Sequence, residues 1–169
     1  MARPIENEFP LFYKNYIDKT EGNSVEDLLN NYSIELKNFI QSLPIEKQDF
    51  AYAENKWSVK DLLQHLIDAE RVFVYRATRF SRKDKTDLPG FDENDYAKNA
   101  NASNKNFDDL KAEMIALRNS TDLFLKNLSD EQLAATGTAN GNEISVNAIA
   151  FIIFGHFLHH KNILIERYL

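Results

Sequence analysis

Apolar residues return every three or four positions along four long stretches of this chain, and strand-like alternation is nearly absent. Leu28, Leu29, Tyr32, Leu36, Phe39, Ile40 and Leu43 form the first stripe. A second lies within 58–82, a third runs from Phe107 through Leu110, Met114, Leu117, Thr121, Phe124 and Leu128, and the last covers 145–169. That spacing puts the apolar side chains of each stretch on one helical face. Start signals agree with it. Ser24 with Asp27 and Ser58 with Asp61 resemble capping boxes, and Asn106 and Ser145 stand where N-caps are wanted. Ser129 with Gln132 starts one further short turn. Pro44 ends the first helix, and Asn140-Gly141 suits a tight turn with positive φ.

Four long helices around one core predict an all-α four-helix bundle. With 169 residues, one domain over 24–169 is the natural size, preceded by an N-terminal arm over 1–23. Leu11, Phe12, Tyr13, Tyr16 and Ile17 imply that the arm packs rather than trails. The polar stretch 84–105 between the second and third helices is long enough for a crossover, so those two helices can run parallel, in up-down-down-up order.

Composition narrows the chemistry. The net charge of −6 does not favour nucleic-acid backbone. No apolar run reads as a membrane span, and the N-terminal residues do not read as a secretion signal. There is no cysteine, which excludes disulfides, thiolate metal ligands and cysteine nucleophiles, and suits a cytoplasmic setting. A transition metal would have to be held by histidine and carboxylate.

Three of the four histidines lie in FIIFGHFLHHKNILIERYL (151–169). His156 and His160, four apart, share one face with Ile149, Ile152, Ile153 and Ile163, the face that turns to the core. Buried imidazoles need partners. His65, in the second helix, also turns partly inward. Three imidazoles at one point could hold a metal with positions left open, or be core groups satisfied by water and carbonyls. His159, about 100° around the helix from His160, reads as a rim residue. Gly155 implies close approach of another element, or room for a ligand. Asp68 could orient His65, act as a fourth ligand or be solvated. Glu70 belongs to the surface or to an arginine. Arg76, Arg79, Arg82 and Lys83 complement the helix C-terminus, with an anion site as the minority reading. Asp92, Glu93, Asp95 and Tyr96 could line a pocket mouth or simply be a solvated loop.

The segments KWSVKDLLQHLIDAERVFVYRATRF (56–80), LPGFDENDYA (88–97) and GHFLHHKNILIERYL (155–169) resemble the signatures of the DinB-like superfamily of DinB/YfiT-like metalloenzymes, in its DinB_2 branch. The resemblance implies the crossover bundle named above. It implies a divalent metal, nickel or zinc, held by His65, His156 and His160. It assigns no catalytic residue. It implies a small-molecule substrate, either a low-molecular-weight thiol for S-transfer or a hydrolysed compound. A homodimer is implied too. The alternative is a stress-response protein that holds metal or a small ligand without turnover.

Overall fold

The computed structural model describes residues 1–169. The arm makes two 3-10 turns and then α1 (Lys14–Ile17). There follow α2 (Val25–Ser42), α3 (Val59–Ser81), α4 (Glu93–Ala100), α5 (Phe107–Lys126), α6 (Asp130–Ala134), β1 (Thr136–Ala139), β2 (Asn142–Ser145) and α7 (Val146–Arg167). The helix starts are capped as their sequences require. Ser24, Ser58, Asn106, Ser129 and Ser145 each accept a hydrogen bond from the backbone N–H three residues on. Such caps satisfy amides that a helix leaves without partners.

The bundle consists of α2, α3, α5 and α7, with α2 and α3 each packed between α5 and α7. Pairwise contacts fix the directions. Lys60 bonds the Ser103 carbonyl, Arg71 pairs with Glu113 and Glu70 with Arg118, so α3 and α5 run parallel. Lys37 meets Asn119 and Lys111 meets Leu43, so α2 and α5 are antiparallel. His65 meets His160 while Phe73 meets His156, so α3 and α7 are antiparallel. The order is up-down-down-up. The connection 82–106 carries the chain back along the bundle, and it is not a bare loop: α4 lies within it against α3.

The all-α bundle is as expected, with one small addition: β1 and β2 form an antiparallel hairpin over Asn140-Gly141, whose φ angles are 52° and 71°. Leu88 adds one parallel bridge to it. The strands are only four residues each. Of the two readings of Glu70, the arginine pair is the one seen: it accepts from Arg118 Nη1 at 2.9 Å and from Thr121 Oγ1 at 2.6 Å, inside the core. Two expectations need correction. First, α7 is long and apolar enough to cross a bilayer by length and composition, but 67% of its most apolar window is buried in the bundle. It touches α1, α2, α3 and α6, and a helix surrounded on most sides must be apolar nearly all round. Second, the buried face of α5 runs Met114–Arg118–Thr121–Leu125, and Leu117, Phe124 and Leu128 are only half-buried.

Candidate metal centre

Three imidazoles converge at the α3–α7 seam. The Nε2 atom of His65 lies 3.0 Å from that of His156 and 3.2 Å from that of His160, and the last two are 3.1 Å apart. Helical geometry explains the pair: His156 and His160 are one turn apart on α7. The antiparallel neighbour α3 supplies the third ring at the same height. His65 and His156 are buried and His160 is partly buried. Burial holds all three toward the neutral form, His65 down to about 4, His160 down to about 3, and His156 well below its usual value.

Three neutral rings cannot satisfy one another in this triangle. A neutral imidazole carries one N–H, so at best one Nε2–H points toward the other two lone pairs, which then face each other. A cation at the centre removes that conflict. Two nitrogens bound to a tetrahedral zinc ion at about 2.05 Å sit about 3.3 Å apart, close to the spacing here. The donor set therefore fits a divalent transition-metal ion, with three protein ligands and further positions open.

The surroundings of the three rings are aromatic. Trp57 packs on His65 with ring centroids 4.8 Å apart, and Phe73 sits edge-on to His156 at 5.9 Å. Tyr16 of α1 stands perpendicular to His156 at 5.3 Å. This close approach of the arm is what Gly155 permits. A β-carbon there would fall 2.0 Å from the Tyr16 carbonyl oxygen. Of the two readings of Gly155, close approach by another element is the one seen. Trp57, placed before the α3 cap, packs onto a site ring, and its carbonyl accepts from Tyr168 Oη at 2.8 Å.

The remaining candidates fall elsewhere. His159 packs against Tyr16 and His160, and its ring nitrogens are outside the triangle. Asp68 accepts from Gln64 at 2.9 Å and makes no hydrogen bond to His65. Asp68, Asp95 and Tyr96 lie together along a cleft between α3 and α4. A separate cleft of about 220 Å³ reaches His160 itself, lined among others by Tyr52, Lys56, Trp57, Asn94 and Tyr168. Sequence reasoning did not single out Tyr52, Asn94 or Tyr168 for the site mouth. Asn94 lies within the polar stretch 92–96, next to Asp95. A larger cleft of about 620 Å³ between α2 and α5 contains no histidine. The basic end of α3 is spent on local bonds: Arg76 donates to the Pro89 carbonyl, Arg79 to Asp84 and Tyr75, and Lys83 to Glu131.

Residues 35–164 match the sequence profile of the DinB superfamily. The chain belongs to that superfamily. Among solved structures it is similar to YfiT from Bacillus subtilis, described as a probable metal-dependent hydrolase with an unusual four-helix bundle topology. The TM-score is 0.68 at 17% identity, over 96% of this chain and 89% of that one. Identity that low speaks for the shared fold alone. No curated protein sequence matches the chain.

Proposed function

We propose that this DinB-superfamily protein is a divalent-metal-dependent enzyme acting on a small molecule, by hydrolysis or by transfer of a low-molecular-weight thiol. The observation that carries the reading is the triangle of two buried imidazoles and one partly buried one, His160, which opens on a cleft. The description of YfiT as a probable metal-dependent hydrolase favours hydrolysis. Nickel or zinc suits the ligand set, since imidazole accepts either.

When bound, such an ion supplies Lewis acidity, which lowers the pKa of a coordinated water or thiol and polarises a substrate oxygen. The chain's own residues do the rest. Burial keeps the three rings neutral, so each offers a lone pair without first losing a proton. Trp57, Phe73 and Tyr16 pack around the rings, and the cleft reaches the His160 ring. At its mouth Lys56 can take an anionic group, and Asn94, Tyr52 and Tyr168 can orient polar or flat parts of a substrate. Without cysteine in the chain, any sulfur nucleophile must arrive as co-substrate.

The test uses protein purified without a histidine tag, loaded in turn with zinc and nickel. It is offered ester, amide and phosphoester panels, and separately a set of thiols with monochlorobimane. Turnover that disappears in His65→Ala, His156→Ala and His160→Ala supports the proposal, and the panel that responds picks the reaction. Stoichiometric metal with no turnover on any panel would instead make this a metal- or ligand-binding protein.

A further inference from the structure

The cleft between α3 and α4, about 480 Å³ in volume, is separate from the one that reaches His160. Its floor is preorganised. Gln64 is only 3% exposed and both ends of its amide are used. Lys105 Nζ donates to Oε1 at 2.5 Å, and Nε2 donates to Asp68 Oδ1 at 2.9 Å. The Lys105–Gln64–Asp68 chain thus ties the floor of the cleft to the segment that follows α4. Asn101, in the left-handed region at φ 53°, ends α4 and turns the chain back toward Lys105.

The charges here are unequally engaged. Arg71 already pairs with Glu113 at 2.7 Å, and Lys105 is held by Gln64. The second oxygen of Asp68 and the whole carboxylate of Asp95 have no protein partner. Asp68 is half-buried, and burial pushes its pKa up although the Gln64 bond and the charges of Lys105 and Arg71 pull the other way; its second oxygen is left free to accept from a donor in the cleft. Both cations keep free N–H donors beyond the bonds they make, since Lys has three and Arg five. Tyr96 adds an aromatic wall that suits an ammonium or an apolar side chain.

We propose that this cleft binds a small zwitterion of amino-acid type, its ammonium between Asp68 and Asp95 and its carboxylate toward Lys105 and Arg71. A volume of this size takes such a molecule with room for a side chain. The proposal is independent of the metal-centre reading, because none of the three histidines lines the cleft.

A matched set of probes tests it on the metal-free chain of 169 residues: L-leucine, isopentylamine, which lacks the carboxylate, and isocaproate, which lacks the ammonium. Backbone amide shifts of residues 64–71 and 95–105 are followed up to about 20 mM, a range that captures millimolar affinity. L-leucine should bind most tightly, isopentylamine more weakly and isocaproate least. Asp68→Asn and Asp95→Asn should each weaken L-leucine about tenfold, the scale of one charge-assisted bond. The first of these keeps the Gln64 bond and the second is at an exposed position, so unchanged melting temperatures separate lost binding from lost folding. His159→Ala, outside both the cleft and the histidine triangle, should bind L-leucine as the parent does. Absence of shifts with all three probes, equal binding of isocaproate and isopentylamine, or full affinity in both aspartate variants would overturn the proposal.

Discussion

The α-carbon of Gly155 on α7 lies directly against the Tyr16 carbonyl of α1, so close that an added β-carbon would stand 2.0 Å from the oxygen and 2.4 Å from its carbon. Backbone cannot swing aside as a side-chain tip can. The contact seats the arm on the bundle, and it sets the Tyr16 ring edge-on to His156.

Gly155→Ala is therefore expected to destabilise the protein by about 1–3 kcal/mol, the usual range for overpacking. In an ordinary mid-helix site the same change would stabilise by about 0.5–1 kcal/mol. Urea unfolding decides the sign. Tyr16→Ala should cost less, because it leaves the backbone contact in place. A Gly155→Ala protein as stable as the parent would mean that α1 is not seated as described.

The metal-free protein should lose stability on mild acidification. His65 and His160 titrate at about 4 and about 3 when folded, because burial disfavours the charged ring, against about 6.5 when unfolded. Below pH 6.5 the unfolded chain thus takes up protons that the folded chain refuses. Stability then falls as pH drops from about 6.5 toward 4, and rises with pH over the same window. Chemical denaturation at stepped pH after chelator treatment should show this slope, and His65→Gln should flatten it. A midpoint independent of pH across that window would show that the rings are not buried as neutral groups.

The sequence reveals these features unevenly, and the reasons are physical. Helix starts were legible because a cap is a local device: Ser58 and Asp61 need only each other. His156 and His160 were legible because one turn of helix fixes their relation, and His65 because it too lies on an inward stripe. Arg118 was not. A search for apolar residues at helical spacing prefers its neighbour Leu117, although Arg118 holds the buried position between Met114 and Thr121 and is 0% exposed. Its partner Glu70 was the available clue, since an inward carboxylate must find a cation. Tyr16 reaches the site from α1, far away in sequence, and no local pattern encodes such a contact, whereas Trp57 stands just before the α3 cap and packs back onto that helix.

His159 supplies an internal control for the metal centre. It adjoins His160 in sequence but packs edge-on against Tyr16, outside the triangle of Nε2 atoms. Elemental analysis of untagged protein should find about one divalent ion per chain in the parent and in His159→Ala. His65→Ala, His156→Ala and His160→Ala should each lose most of it. Added zinc should raise the melting temperature of the parent and of His159→Ala, and change that of the other three little. Equal metal retention in all four variants would remove the triangle as the site.

The last prediction concerns the ion network in the core. Arg118 donates to Glu70 at 2.9 Å and to Asp122 at 2.6 Å, with its guanidinium over the Phe154 ring at 4.6 Å. Burial works against its charge, yet the two carboxylates hold its pKa above the usual arginine value. Arg118→Met leaves Glu70 charged and buried with only Thr121 as partner, so it should cost about 3–5 kcal/mol. Removing both charges as Arg118→Met with Glu70→Leu should recover much of that loss, because desolvation of the pair offsets most of its attraction. Denaturant midpoints of the two single variants and the double variant close the cycle. Losses that simply add would mean that Arg118 and Glu70 are not energetically coupled, and that α3 and α5 are held together by the apolar contacts around them.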